Sequence, residues 1–356
     1  MKKIILLLLL SSLFSCATRE ERAQKNLHLA WNDYFERSLD QTASVEVLVA
    51  TNRKPKNESF TCDDGQFSVN LDRVKRFGRC KINVSKNHVV GEINMTQNGL
   101  KIIAANSLPE KDLIAEIKKS ERKPLVFVHG FNVRYQEAVL RAAQIAYDLK
   151  YQGPVVLFTW PAGAADGILK EKMMNETYAS NSANAQGSIE DFKKFLLLLQ
   201  ENDIKINLMV HSMGHQLALP ALKSLAESNP KKPLIDQLIL NAPDFDVAEF
   251  RSFTAQLKKI SDRTTLYCSE NDKAMFVSKA FNSSGERLGS CVFINEIDVI
   301  NVGLIDDPTL GLGHGYYSSR AVLGDVTQLL FGIDASKRSF IAKSDPYNRY
   351  KYFLRK

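Results

Sequence analysis

The chain has 356 residues, of which 44% are hydrophobic and 24% charged, and these values are ordinary for a globular protein with a substantial core. The sequence contains no internal repeat or low-complexity tract, which excludes repeat and disordered architectures. The net charge is +7, but residues 337–356 carry seven Lys or Arg and one Asp, so the rest of the chain is nearly neutral.

The amino terminus has the pattern of an export signal. Two lysines precede an apolar run at residues 4–14, which is far shorter than the ~20 residues of a membrane-spanning helix, so residues 1–15 are predicted to be a signal peptide. The motif Leu-Phe-Ser-Cys at residues 13–16 resembles the lipobox of a bacterial lipoprotein. We expect cleavage before Cys16 and acylation of that cysteine, with palmitate as a typical chain; the alternative is an ordinary secretory peptide that is cleaved nearby.

The remaining chain divides into three segments. Residues 16–42 are polar and helix-compatible, which predicts a tether or docking helix, and the main domain is predicted at residues 43–336, followed by a tail at residues 337–356. In the main domain, strand-like and helix-like runs alternate, which is typical of an α/β fold with a predominantly parallel central sheet flanked by helices. The predicted strands are at residues 45–50, 80–84, 89–94, 124–129, 155–160, 206–210, 234–240, 264–268 and 292–299.

A long polar stretch at residues 162–188 separates the strand at residues 155–160 from the next amphipathic helix. A connection of this length within a compact domain usually has a functional role. We therefore expect it to form a wall or a lid of a cleft.

The most informative motif is an abrupt change from strand to helix. An apolar strand-like run ends at His211-Ser212-Met213-Gly214, and a helix-compatible run starts directly afterwards. Such a turn exposes a serine at the carboxyl edge of a sheet, so Ser212 is the candidate nucleophile. Val210 stands where the G-x-S-x-G pattern has its first glycine. The alternative interpretation is a buried strand that ends in a serine-containing loop.

Two backbone amides are candidates for an oxyanion hole. The amide of Met213 directly follows the serine, at the start of the next helix. The amide of Phe131 follows His129-Gly130 in a turn after the first central strand, and Gly130 permits a close approach of the backbone. The alternative for this second segment is a simple strand-to-helix turn.

A serine nucleophile needs a histidine that accepts its proton and a carboxylate that orients the histidine. Asp272 and His314 follow the last two predicted strands, so both are expected at the same sheet edge as Ser212. The order serine, acid, histidine is that of α/β-hydrolases, and this chemistry implies no cofactor. The alternative acids near strand ends are Asp244, Asp246 and Glu270.

Several motifs resemble those of a bacterial branch of the α/β-hydrolase superfamily that has long been described as a domain of unknown function. The resemblance spans residues 45–320 and rests on Thr51-Asn52-Arg53, Phe77-Gly78-Arg79-Cys80, His88 with Gly91, Phe127-Val128-His129-Gly130-Phe131-Asn132, Phe158-Thr159-Trp160-Pro161, Tyr178 with Ser182-Ala183, His211-Ser212-Met213-Gly214 and Ala242-Pro243-Asp244. It implies a serine hydrolase fold with Ser212 as nucleophile, Asp272 as acid and His314 as base. It implies no particular substrate.

The combined features predict an enzyme: a lipid-anchored serine hydrolase of the bacterial envelope, on its periplasmic or surface side. It would cleave an ester, or a thioester or amide, of a small molecule or lipid through an acyl-enzyme on Ser212. The alternative is a non-catalytic, hydrolase-like binding or structural lipoprotein. A zinc site at His211 and His215 is disfavoured, because a metalloprotease helix also has a glutamate after its first histidine and a third ligand, so no metal is expected.

The basic tail at residues 337–356 also contains five aromatic residues. Basic and aromatic side chains suit a membrane surface beside a lipid anchor, but the aromatic residues could equally pack the tail onto the domain. A nucleic-acid partner is not expected for an exported protein, and the sequence predicts no particular oligomeric state.

Four cysteines remain after Cys16. Cys62 and Cys80 flank a short polar segment that can bend back, so a disulfide is predicted between them. Cys268 lies near the end of one predicted strand and Cys291 near the start of the next, and this offset exceeds the reach of a disulfide. Both are therefore predicted to stay free, unless Cys291 lies in a folded-back loop.

Overall fold

The computed structural model describes residues 25, 43–93, 99–164, 174–228, 230, 232–282, 285–305 and 314–355. The predicted signal peptide, the acylation site at Cys16 and nearly all of the tether lie outside the described residues. Within the described ranges, no helix is long and apolar enough to cross a membrane.

Eleven strands in the described part of the chain form one sheet, in the order β10-β11-β9-β8-β7-β6-β4-β5-β1-β2-β3. The strands are β1 (Ala43–Pro55), β2 (Phe67–Val84), β3 (Lys101–Leu108), β4 (Leu125–Val128), β5 (Val155–Thr159), β6 (Ile206–His211), β7 (Ile235–Asn241), β8 (Ser261–Cys268), β9 (Asp298–Asn301), β10 (Ile341–Lys343) and β11 (Tyr352–Leu354).

The centre of the sheet is parallel, and its two ends contain antiparallel pairs. β1 and β5 pair in parallel, and so do all neighbours from β5 to β11. The pairs β1–β2, β2–β3 and β10–β11 are antiparallel. The sheet is thus mainly parallel, as expected, but it is a mixed sheet because antiparallel strands lie at both of its ends.

Helices cover both faces of the sheet. They are α1 (Glu110–Lys118), α2 (Tyr135–Asp148), α3 (Met174–Gly187), α4 (Ile189–Glu201), α5 (His215–Glu227), α6 (Val247–Leu257), α7 (Lys273–Asn282) and α8 (Arg320–Leu330). One apolar core contains side chains of α1, α3, α4, α5 and α6, and the other contains side chains of α2 and α8. Every residue of β4, β5 and β6 is buried, as expected for strands that are covered on both faces.

Two predicted strands differ from the structure. Residues 89–93 form a turn in which Gly91 has φ +89° and donates its N–H to Asp148, and the third strand is β3 instead. The strand predicted at residues 292–299 begins only at Asp298. In both cases an apolar run packs as a loop, and apolar runs of this length do not by themselves distinguish strands from loops.

The long polar connection contains α3, whose Tyr178, Asn181 and Ala185 are buried. The basic carboxyl-terminal segment contributes β10 and β11 to the sheet. Within it, Tyr352 and Leu354 are buried against the domain, while Tyr347 is 96% exposed. Part of this segment therefore packs onto the domain.

Both cysteine pairs form disulfides. Cys62 is bonded to Cys80, the predicted pair, with a Cα–Cα distance of 6.0 Å. Cys268 is bonded to Cys291 with a Cα–Cα distance of 5.1 Å, so the prediction that these two cysteines stay free is wrong. Cys291 is not in a strand but follows a short 3₁₀ turn that folds back beside the end of β8, where Ser269 donates its N–H to Gly289.

Candidate active site

Ser212 lies at the sharp turn between β6 and α5. β6 ends at His211, a single 3₁₀ turn covers Ser212–Gly214, and α5 begins at His215. Ser212 has φ +52°, a left-handed conformation that costs a non-glycine residue about 1–3 kcal/mol and is common at functional sites. Val210, which replaces the first glycine of the pattern, is fully buried in the apolar core, and the turn accommodates it there.

Two glycines allow the loops after β4 and β6 to touch. A Cβ atom on Gly130 would lie 2.7 Å from Ser212 Cβ, and one on Gly214 would lie 2.5 Å from the carbonyl oxygen of His129. Real Cβ atoms do not approach other atoms so closely. The segment that contains Phe131 can therefore lie beside Ser212 only because both positions lack a side chain.

Ser212, His314 and Asp272 form a continuous chain of hydrogen bonds. His314 Nε2 lies 2.7 Å from Ser212 Oγ, and His314 Nδ1 lies 2.7 Å from Asp272 Oδ2. The other oxygen of Asp272 accepts the N–H of Ala274 at 3.0 Å, at the start of α7. The Asp272 side chain is fully buried and that of His314 is 17% exposed. The predicted nucleophile, acid and base are thus brought together, with the carboxylate held in one orientation.

The three alternative acids have other partners. Asp246 accepts the N–H of Glu249 at the start of α6, and Glu270 accepts a hydrogen bond from Asn301. Asp244 accepts hydrogen bonds from Tyr178, Gln216 and Ser278 and pairs with Arg287 at 3.1 Å. Of the four candidate carboxylates, Asp272 is the one that contacts His314.

The two candidate oxyanion amides lie on either side of the Gly130–Ser212 contact. Met213 is in the first turn after β6, where helical N–H groups have no acceptor within the helix. Phe131 is followed by Asn132, which has φ +55° and donates its own N–H to Asn181 Oδ1 at 3.0 Å. The Asn132 amide is therefore engaged, and the Phe131 amide is the candidate donor of this loop.

Burial keeps three histidines around the serine neutral. Burial lowers the pKa of His129 and of His215 to about 3, and it lowers the pKa of His211 well below the usual range, with a further contribution from the neighbouring His314. His129 bonds Thr159, and His215 Nδ1 lies 2.7 Å from the carbonyl oxygen of Ser212. His211 stacks on Tyr317, with ring centroids 3.7 Å apart. Their contacts are those of packed structural residues.

Sequence reasoning gave no role to the polar residues that surround Ser212. On α3, Tyr178 bonds Asp244, Asn181 bonds the loop after β4, and Ser182 bonds Gln216 of α5 at 2.8 Å. Positions 178, 181 and 182 have the i, i+3, i+4 spacing of one helix face. The sequence pattern that could have indicated this role is a polar helix face with that spacing, inside a stretch with few large apolar residues.

The family model described as "Alpha/beta hydrolase of unknown function (DUF900)" matches residues 105–332, more than half of the chain. No curated protein and no solved structure matches the chain. The match includes Ser212, Asp272 and His314, and it confirms the resemblance indicated by the motifs. The chain belongs to this family of alpha/beta hydrolases of unknown function.

Proposed function

We propose that the protein is a serine hydrolase that cleaves an ester, or less favourably a thioester or an amide, through an acyl-enzyme on Ser212. The observation that carries the proposal is the unbroken hydrogen-bond chain from Ser212 Oγ through His314 to Asp272. A binding protein needs no such chain at the ends of separate strands. The strained backbone of Ser212 and the buried carboxylate of Asp272 support the same function.

The chemistry follows from the direction of these hydrogen bonds. The Asp272 carboxylate accepts the Nδ1–H of His314, so Nε2 is free to accept the Ser212 hydroxyl proton as Oγ attacks the substrate carbonyl carbon. The amides of Phe131 and Met213 would donate to the resulting oxyanion. Its collapse breaks the bond to the leaving group, which takes the proton from Nε2. Water then attacks the acyl-enzyme by the same route and releases the acid and free Ser212.

A non-catalytic, hydrolase-like binding or structural protein is the competing proposal. The two are separated by reaction with a fluorophosphonate probe, which labels activated serines, and by turnover of a p-nitrophenyl ester. Ser212→Ala should abolish labelling and lower kcat by roughly 10⁴- to 10⁶-fold. Ser228→Ala is the matched control, because Ser228 caps the far end of α5 and its hydroxyl donates to the carbonyl of Leu225. Undiminished labelling of Ser212→Ala would rule out this nucleophile.

We further propose that the enzyme is anchored in the bacterial envelope by acyl chains on Cys16. The support is the sequence pattern at residues 1–16, which lies outside the described residues. One acyl chain binds a membrane only marginally, so several chains are expected on the mature cysteine. Cys16→Ser should prevent incorporation of a radiolabelled or clickable palmitate and weaken membrane attachment, while the domain stays folded. Extraction of the wild-type protein without detergent, with no acyl label incorporated, would contradict the anchor.

A further inference from the structure

Helix α3 is attached to the catalytic elements by polar contacts. Tyr178 donates its hydroxyl to Asp244 at 2.7 Å, in the segment after β7, and Ser182 donates to Gln216, the second residue of α5. Asn181 lies between these two contacts and is fully buried. The expected lid or wall is therefore a helix that is docked on the loops around Ser212.

Asn181 joins two loops through one side chain. Its Oδ1 accepts the N–H of Asn132 at 3.0 Å and the N–H of Gly163 at 3.0 Å, and its Nδ2 donates to the carbonyl of Gly163 at 3.1 Å. Asn132 and Gly163 both have positive φ, at +55° and +123°. The Asn181 amide thus contacts two turns of the backbone, one in each loop.

The bond to Asn132 is adjacent to the candidate oxyanion amide of Phe131. The N–H that Asn181 accepts belongs to the peptide between Phe131 and Asn132, so this bond restricts rotation next to the Phe131 amide. On the other side, Gly130 rests against Ser212 with no room for a side chain. The loop is thus held between the nucleophile and α3, and an oxyanion hole requires donors placed within a few tenths of an ångström.

We infer that Asn181 is a positioning residue that holds the Phe131 amide in place for the oxyanion, without itself touching the substrate. This inference rests on the proposed serine hydrolase function. It gives α3 a defined role, in which its polar face connects the loops after β4 and β5 to the nucleophile turn and to the segment after β7.

The chain provides a matched control on the same helix. Asn184 is one turn further along and also makes two hydrogen bonds to backbone, donating Nδ2 to Val69 at 2.9 Å and to Pro161 at 2.7 Å, but it contacts neither Ser212 nor the Phe131 loop. Asn181→Leu and Asn184→Leu therefore remove the same type of side chain from α3. Asn181→Asp keeps both acceptor contacts and loses the amide donor.

The experiment measures kcat and KM with p-nitrophenyl butyrate and the Ki of a trifluoromethyl ketone, which forms a tetrahedral adduct. All rates are divided by the number of sites that a fluorophosphonate titrates, so misfolded protein does not count. Asn181→Leu should lower kcat by roughly 10- to 100-fold and raise Ki by a similar factor, with KM changed less than about threefold, since a displaced oxyanion donor weakens the transition state selectively. Asn184→Leu should keep kcat and Ki within about twofold.

The conservative variant separates positioning from mere stability. A buried carboxylate destabilises a fold more than a leucine does, yet Asn181→Asp retains the acceptor for Asn132 and should keep more kcat per titrated site than Asn181→Leu. If Asn181→Leu yields no titratable protein, a loss of more than about 100-fold in Asn181→Asp would overturn the inference. Unchanged kcat and Ki in Asn181→Leu, or equal losses in Asn184→Leu, would overturn this inference and leave the hydrolase proposal in place. Failure of the wild-type protein to label or to turn over would overturn the hydrolase proposal and this inference together.

Discussion

Asp272 Oδ2 lies 2.7 Å from His314 Nδ1, although the two residues are 42 positions apart and follow different strands of the sheet. The contact exists because β8 and β9 are parallel neighbours whose carboxyl ends lie at the same edge. The segments that follow these two strands therefore start side by side. The contact also distinguishes Asp272 from Asp244, which bonds Tyr178 and Arg287 instead.

The first prediction concerns the acid. Asp272→Asn should lower kcat by roughly 10⁴-fold with little loss of stability, because the amide can present a donor to Nδ1 and favour the wrong histidine tautomer. Steady-state kinetics with a p-nitrophenyl ester and thermal unfolding measure the two effects.

Asp244→Asn is the control for this variant, because it should lose more stability and less turnover. It leaves the buried Arg287 without its carboxylate partner, and breaking a buried ion pair typically costs about 3–5 kcal/mol. We expect a lower unfolding temperature and a smaller loss of turnover per folded molecule. If Asp244→Asn lost more turnover than Asp272→Asn, the assignment of the acid would be wrong.

The second prediction concerns the base. His314→Gln should remove most of the activity, because a glutamine side chain cannot act as a base for the Ser212 proton. It should also slow fluorophosphonate labelling. Wild-type turnover in this variant would identify His314 as an ordinary loop residue.

The third prediction compares the two disulfides. They close loops of similar length, with sequence separations of 18 and 23, so removing either should cost about 3 kcal/mol of stability. Cys268 is four residues before Asp272, and the turn just before Cys291 accepts the N–H of Ser269 in the same segment. The Cys268→Ser/Cys291→Ser variant should therefore also lose turnover. The Cys62→Ser/Cys80→Ser variant should unfold earlier while its folded fraction keeps normal kcat. Equal kcat per folded molecule in the two variants would show that the Cys268–Cys291 disulfide does not support the Asp272 segment.

The fourth prediction is a loss of stability in acid. His129, His211 and His215 have lowered pKa values in the folded protein, about 3 for His129 and His215, compared with about 6.5 in an unfolded chain. The unfolded chain therefore binds more protons below pH 6.5. Each histidine contributes stability that is present above that pH. This stability is lost, at up to about 1.4 kcal/mol per pH unit, as the pH falls towards the pKa of that histidine in the folded protein.

Urea unfolding between pH 7 and pH 5 measures this loss. In His215→Gln the free energy of unfolding should fall less steeply with decreasing pH than in the wild-type protein, whatever the stability of the variant at pH 7. An identical slope in the two proteins would mean that His215 is protonated in the folded state.

Much of the fold was predictable from local patterns. The apolar runs that become β4, β5 and β6 are buried on both faces, so they carry an uninterrupted hydrophobic signal that has few other interpretations. The change from strand to helix around Ser212 is likewise visible in consecutive residues. The mixed character of the sheet was not predictable, because pairing direction depends on how β2, β3, β10 and β11 meet their neighbours.

The sequence by itself determined the family, the order of the chemical groups along the chain and the approximate strands that Ser212, Asp272 and His314 follow. Tertiary structure alone decided which carboxylate meets the histidine, that Cys268 and Cys291 are close enough to bond, and that Asn181 reaches the loop after β4. The physical reason is the distance along the chain over which each kind of interaction acts. Periodicity and turn chemistry act over a few residues, whereas these contacts join segments that are 23 to 49 positions apart and depend on how loops fold back over the sheet edge.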